Sequence, residues 1–167
     1  MGKLEEALPL CNRALAIEEK ALGPDHTSVA DTLVNLGNLM RDMGKLEEAL
    51  PLYNRALAIE EKALGPDHTS VADILVNLGN LMRVMGKLEE ALPLCNRALA
   101  IEEKALGPDH TSVADTLVNL GNLMRDMGKL EEALPLYNRA LAIQEKALGP
   151  DHTSVASTLG NLGSLMS

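Results

Sequence analysis

The feature that most constrains this chain is a repeat of 42 residues that runs from one end to the other. The dipeptide Leu36-Gly37 recurs at this interval as Leu78-Gly79, Leu120-Gly121 and Leu162-Gly163. A fixed period of about 20 to 50 residues is typical of solenoids, in which each small unit packs against its neighbours. The sequence therefore predicts one repeat array over residues 1–167, with units at 1–42, 43–84, 85–126 and 127–167.

Each unit contains segments with the apolar spacing of an amphipathic helix. Leu4, Leu8, Cys11 and Leu15 recur at three- and four-residue steps, which places them on one side of a helix. Gly23-Pro24 should end this helix, because glycine can adopt the left-handed cap and proline cannot continue the helix. The next helix should begin within residues 25–28, where Asp25, Thr27 or Ser28 could be the N-cap. This pattern predicts an all-α fold, and we expect seven helices.

A glycine recurs inside the second helix of every unit. A glycine there costs about 1 kcal/mol relative to alanine, so its return at Gly37, Gly79, Gly121 and Gly163 suggests that a neighbouring helix approaches closely at this point. The substitution Gly79→Leu should then overpack the contact and cost about 1–3 kcal/mol of stability.

The composition disfavours several classes of function. The net charge is −9, whereas a nucleic-acid-binding protein usually shows a basic face. No apolar run is long enough to cross a membrane, and no secretory leader opens the chain. Cys11 and Cys95 lie two units apart, too far for a disulfide, so we expect free thiols, a reducing compartment and a cytoplasmic location.

The sequence Asp-His-Thr-Ser occurs four times and contains the residue types of a hydrolytic triad. Four contiguous residues at a helix start do not supply converging groups or an oxyanion hole, so helix capping is the better interpretation. The histidines should also be too far apart to share a zinc ion; they are His26, His68, His110 and His152. We predict no catalytic, cofactor or metal site.

The spacing of Leu33, Leu36-Gly37, Ala49, Tyr53 and Ala56 resembles that of the tetratricopeptide repeat, and the unit length is similar to the 42-residue variety found in kinesin light chains. The resemblance implies antiparallel helix pairs stacked into a right-handed superhelix, an α-solenoid. It also implies a concave groove, lined by the first helix of each pair, that binds a peptide or partner protein. The chain departs from the family at two repeat positions. Met40 stands where the family usually has an aromatic residue, and Cys alternates with Tyr between units at the position of Tyr53.

The resemblance also implies which side chains face the groove. They include Asp31, Val34 and Asp42 and, as candidate peptide-binding residues, Asn35, Asn38, Arg41, Asn77, Asn80, Arg83, Asn119, Asn122, Arg125 and Asn161. A primary amide offers both a donor and an acceptor, so rows of Asn suit an extended peptide backbone. The alternative is that these amides bond across neighbouring helices and only stiffen the stack. Asp and Val stand where some relatives use Lys and Arg to bind an acidic C-terminus, so that ligand is disfavoured.

Two hypotheses about function follow. The first is a non-enzymatic protein–protein interaction scaffold that binds its ligand in the groove. The second is a structural spacer or self-assembling element, in which the helix at 151–166 of one molecule packs head-to-tail against the helix at 3–22 of the next. For the second we expect the last helix to expose Val155, Leu159, Leu162 and Met166. The scattered differences between units favour a piece of a longer natural array.

Overall fold

The computed structural model describes residues 2–167, which form eight α-helices. They are α1 (Gly2–Leu22), α2 (Thr27–Asp42), α3 (Leu46–Leu64), α4 (Thr69–Val84), α5 (Leu88–Leu106), α6 (Thr111–Asp126), α7 (Leu130–Leu148) and α8 (Thr153–Met166). Residues 2–167 contain no strand, so the all-α prediction is confirmed. The expected number of seven helices is wrong, because each of the four units holds two helices, and seven glycines with positive φ separate the eight. Across these residues, no helix is both long and apolar enough to span a membrane.

Glycines with positive φ separate the helices. Gly44 (φ 76°) follows α2, and Gly65 (φ 91°) follows α3. The N–H of Gly65 donates to the carbonyl oxygen of Glu61 at 3.0 Å, which closes the last turn of α3. Side chains with a Cβ rarely adopt such φ values, and no other residue type has a positive φ in the described chain. The prediction that a glycine-proline pair ends the helix is confirmed.

The N-cap of α2 is a histidine. His26 has extended backbone angles (φ −74°, ψ 145°), and its Nδ1 accepts a hydrogen bond from the N–H of Ser28 at 3.1 Å. The same bond recurs at the starts of α4, α6 and α8, from Ser70, Ser112 and Ser154 to His68, His110 and His152. The expectation that Asp25, Thr27 or Ser28 caps the helix is therefore wrong. The helix begins at Thr27, and the residue before it is the one whose side chain can reach the second helical N–H.

The chain divides into two compact units, a first that ends at Leu81 and a second over Met82–Ser167. In the first unit α2 packs between α1 and α3, and its core includes Leu33 and Tyr53, both fully buried. In the second unit, one cluster joins α6 to α7 through Leu117 and Ala140. Another cluster brings in α8 and contains Met124, Ala133, Tyr137 and Leu162.

The glycine inside the second predicted helix lies against a tyrosine ring. A Cβ added at Gly37 would lie 2.8 Å from Cε1 of Tyr53, and one added at Gly121 would lie 2.7 Å from Cε1 of Tyr137. The predicted close approach of helices is therefore confirmed at both of these positions. It is wrong at Gly163, where an added Cβ would have no atom within 4 Å. Gly79 is buried.

An arginine joins helices that lie far apart in sequence. In the first unit, Nη1 of Arg55 lies 2.7 Å from Oε1 of Glu19, and Nη2 donates to the carbonyl oxygen of Pro24 at 3.3 Å. The second unit repeats both bonds with the same lengths, from Arg139 to Glu103 and Pro108.

The last helix buries part of the seam that was expected to be exposed. Val155 and Leu162 retain only 1% and 8% of their accessible surface, and Leu162 packs in the cluster around Tyr137. The expectation is therefore wrong for these two residues, because the phase of α8 turns them towards α7. Leu159 and Met166 are exposed, as expected.

Candidate functional site

The surface of the first unit contains a pocket, called here the first pocket, with a volume of about 300 Å³. Its lining residues come from α2, α3 and α4: Asp31, Val34, Asn35, Glu60, Ser70, Asp73, Ile74 and Asn77. The structure therefore brings Asn35 and Asn77 together on one pocket, as members of one predicted row of amides. Carboxylates, amides and a hydroxyl group surround the opening, so the pocket offers both hydrogen-bond donors and acceptors.

The second unit contains a similar pocket, called the second pocket, of about 220 Å³. It is lined by Asp115, Val118, Asn119, Gln144, Ser154, Ser157 and Thr158. Asn119 thus occupies the same kind of position as Asn35. Asn80 and Asn161 are half-buried and line neither of these two pockets.

Two amides of the other predicted row, Asn38 and Asn122, form hydrogen bonds within the fold. Oδ1 of Asn38 accepts a hydrogen bond from the hydroxyl of Tyr53 at 2.6 Å, and Oδ1 of Asn122 accepts one from Tyr137 at 2.7 Å. Burial raises the pKa of both tyrosines, so their hydroxyls keep the proton that they donate. At these two positions the amides join adjacent helices, which is the stiffening role considered as the alternative.

The predicted arginines all lie next to an aspartate. Arg41 lies 3.2 Å from Asp42, while Arg83 and Arg125 lie 2.7 Å and 3.6 Å from Asp126. Each pair is partly exposed, and such pairs contribute little stability. Asp42 balances the charge of Arg41, whereas Arg83 and Arg125 share the single charge of Asp126. These carboxylates reduce the attraction of this surface for an acidic ligand.

Sequence reasoning did not single out the glutamate at the base of the first pocket. Glu60 keeps only 3% of its accessible surface, and its Oε2 has no hydrogen-bond partner. The signal was present in the sequence, because Ile74 stands where the other units have Thr32, Thr116 and Thr158. A threonine there can donate to the side chain beneath it, as Thr32 does to Glu18 at 2.6 Å, whereas isoleucine cannot.

The tempting chemical motifs have structural roles in this fold. The four histidines of the Asp-His-Thr-Ser segments cap helices through Nδ1. Within residues 2–167, no three His, Cys, Asp or Glu side chains are grouped as a metal site requires. Cys11 and Cys95 are free, and burial raises the pKa of the Cys95 thiol to about 11, so it is a poor nucleophile.

Comparison with protein families decides the classification. The model of the tetratricopeptide repeat matches residues 1–62, 28–83, 70–146 and 112–167, which together cover the chain. The chain belongs to the tetratricopeptide repeat family. Comparison with curated protein sequences gives no match.

Solved structures of tetratricopeptide arrays resemble this one closely. A kinesin light chain protein of Podosopora anserina with nearly identical TPR-like repeats is 27% identical, with a TM-score of 0.82 over 98% of this chain and 78% of that one. A point variant of the same protein has a TM-score of 0.84 at 27% identity, over 98% and 77% of the two chains. BtubC (BKLC) from P. vanneervenii is 25% identical, with a TM-score of 0.88, and the match covers 98% of this chain and 65% of that one. The predicted kinesin light chain-like tetratricopeptide array is confirmed.

Proposed function

We propose that this chain is a non-enzymatic scaffold that binds a peptide, or an extended segment of a partner protein, on α2 and α4 in the first unit and on α6 and α8 in the second. These helices are the first members of the pairs in the family's arrangement, and tetratricopeptide repeats generally serve protein–protein interaction. The observation that carries the proposal is that Asn35 and Asn77 line one open pocket and Asn119 lines another.

The chemistry of these pockets suits a peptide backbone. An extended peptide presents N–H and C=O groups in alternation, and an Asn side chain can pair with either. Asn35 is exposed, and Asn77 and Asn119 are half-buried, so their amides are accessible to a ligand. In contrast, Asn38 and Asn122 have their Oδ1 atoms occupied by tyrosine hydroxyls, and we assign them a supporting role.

A selection of peptides displayed on phage, followed by affinity measurement on soluble peptides, tests this proposal. The variant Asn77→Ala/Asn119→Ala should weaken binding about tenfold or more, since each lost hydrogen bond is worth about 1 kcal/mol. The matched control is Asn54→Ala/Asn138→Ala, which removes two exposed amides from α3 and α7. Unchanged affinity in the first variant, or an equal loss in the control, contradicts groove binding.

We further propose a cytoplasmic location for the protein. The two cysteines without a disulfide support it, because reducing compartments keep thiols free. Fractionation of the source cells, followed by immunoblotting of the cytosolic and organellar fractions, tests this assignment. Recovery of the protein mainly in an oxidising compartment contradicts it.

The second candidate function is self-assembly through the terminal helices. It is favoured by exposed apolar side chains on both helices: Leu10 and Ile17 on α1 (68% and 57% exposed), and Leu159 and Met166 on α8 (49% and 76%). Light scattering over a hundredfold range of concentration should then show association that Leu159→Glu abolishes. A monomer at every concentration contradicts this candidate and leaves peptide binding unaffected.

A further inference from the structure

The first pocket contains a buried carboxylate that its own fold does not satisfy. Glu60 belongs to α3 and lines the pocket formed with α2 and α4. It is 3% exposed, and its Oε2 has no hydrogen-bond partner. A buried acceptor without a partner costs free energy, and a ligand that supplies a donor at this position would recover it.

One donor that two other helix pairs supply is absent beside Glu60. In the pair formed by α1 and α2, Thr32 donates to Glu18 at 2.6 Å. In the pair formed by α7 and α8, Thr158 donates to Gln144 at 2.7 Å. Ile74 occupies the corresponding position of α4 and has no hydroxyl group. It lines the same pocket as Glu60 and leaves that carboxylate without this donor.

The charge around Glu60 is strongly negative. Asp31 and Asp73 line the same pocket, so it contains three carboxylates. Burial raises the pKa of Glu60, the proximity of Asp31 raises it further, and His68 opposes the shift. Burial also raises the pKa of Asp73. A cation in the pocket would offset the free-energy cost of burying these charged carboxylates and would reduce their mutual repulsion.

The second pocket provides an internal comparison. Gln144 stands in place of the glutamate and Ser157 in place of the second aspartate. Asp115 is therefore the one carboxylate among its lining residues. Oε1 of Gln144 already accepts a hydrogen bond from Thr158. The two pockets are thus lined by equivalent positions of the repeat, but the first has three carboxylates and an unsatisfied acceptor, whereas the second has one carboxylate.

We propose that the first pocket binds an arginine side chain of the partner protein, with Glu60 as its anchoring acceptor. The inference rests on the proposed function and adds to it the chemistry of one ligand residue. A planar guanidinium carries five N–H donors, so it can reach Glu60 and the carboxylates at the opening together. The carboxylates are not grouped tightly enough for a metal ion, which favours this larger cation. Asn35 and Asn77 would then pair with the backbone on either side of the arginine.

The test uses three peptides, acetyl-Ala-Arg-Ala-amide, its citrulline analogue and its lysine analogue, titrated into the intact chain and followed by NMR. Citrulline has the shape of arginine without its charge. We expect the arginine peptide to shift the side-chain amide signals of Asn35 and Asn77 but not that of Asn119, and to bind about tenfold or more tightly than the citrulline peptide. We expect the lysine peptide to bind less tightly than the arginine peptide, because its ammonium group has fewer donors.

Variants of the chain separate Glu60 from general electrostatics. Glu60→Gln reproduces the residue found naturally at Gln144 and should weaken binding of the arginine peptide about tenfold. Ile74→Thr keeps the charge but supplies an internal donor, and it should also weaken binding. Glu47→Gln, in the exposed first turn of α3, makes the same change in net charge and should have no effect.

Equal binding of the arginine and citrulline peptides overturns the proposal. So does tighter binding of the lysine peptide, or unchanged binding of the arginine peptide to Glu60→Gln. These results would leave the proposed function standing if phage-selected peptides still lost affinity in Asn77→Ala/Asn119→Ala. Failure of both experiments would reject peptide binding by this surface altogether.

Discussion

Replacing Gly121 with alanine should destabilise the second unit, although alanine is the better helix former. The added Cβ would lie 2.7 Å from Cε1 of Tyr137 and 2.9 Å from both Cδ1 and Cζ. The ring cannot move freely, because Tyr137 is fully buried and its hydroxyl donates to Asn122 at 2.7 Å. Overpacking of this kind costs about 1–3 kcal/mol, and the gain in helix propensity offsets about 1 kcal/mol of it.

Gly163 provides the matched control, since it occupies the same position of the repeat in α8. A Cβ added there has no atom within 4 Å, so Gly163→Ala should leave stability unchanged or raise it by up to about 1 kcal/mol. The melting temperature of Gly121→Ala, measured by circular dichroism, should be lower than that of the parent chain by a few degrees. Each kcal/mol of lost stability lowers it by about 2–4 °C. Backbone amides in α6 and α7 should exchange their hydrogens faster in Gly121→Ala than in the parent chain, which would place the loss of stability in these helices.

A third variant makes the reasoning refutable. Tyr137→Cys introduces the residue that the chain carries at Cys11 and Cys95, and it removes the ring that the new Cβ would meet. In that background Gly121→Ala should cost less than in the parent chain, a coupling that a double-mutant cycle measures. An equal cost in both backgrounds, or a stable Gly121→Ala single variant, would show that the tyrosine contact does not explain the glycine.

Three further predictions concern buried and capping groups. His110→Ala should lower the free energy of unfolding by about 1 kcal/mol through loss of the bond from Ser112, whereas His110→Asn should be nearly neutral, as denaturant titration would show. Because the pKa of folded Glu60 is raised, the folded chain binds more protons there than the unfolded chain. Stability should therefore fall as pH rises from the ordinary glutamate pKa through the raised value. Glu60→Gln should flatten that dependence in unfolding curves measured across acidic and neutral pH. Iodoacetamide at mildly alkaline pH should modify half-buried Cys11 before buried Cys95, with pKa about 11, as peptide mapping would show; equal rates would contradict the burial argument.

The period of the sequence was sufficient to predict an all-α repeat fold and the close contact at Gly37, although not the number of helices. Both depend on residues near one another in the chain or on a spacing that every unit repeats. The cap at His26 was missed because aspartate, threonine and serine are commoner N-caps, and only the helix start at Thr27 decides which side chain reaches the N–H of Ser28. If the helix began one residue earlier or later, a different residue would be the N-cap.

The pairing of Asn38 with Tyr53 could not be read from the sequence alone. Asn offers the same groups to a ligand and to a neighbouring helix, and the crossing of α2 and α3 determines which of them it meets. Glu60 was overlooked for a related reason. The change from threonine to isoleucine at position 74 looks like ordinary drift between copies until the structure shows that both residues line one pocket.

The arginine bonds of α3 and α7 bear on how such a gene can change in length. Arg55 and Glu19 are 36 residues apart, and Arg139 repeats the bond with Glu103 at the same separation and distance. Unequal crossing-over that removes or adds a whole 42-residue unit would join an arginine to an equivalent glutamate and proline, because every unit carries the same residues there. An insertion of any other length would place different side chains opposite each other. The repeat should therefore tolerate the gain or loss of whole 42-residue units better than insertions of other lengths.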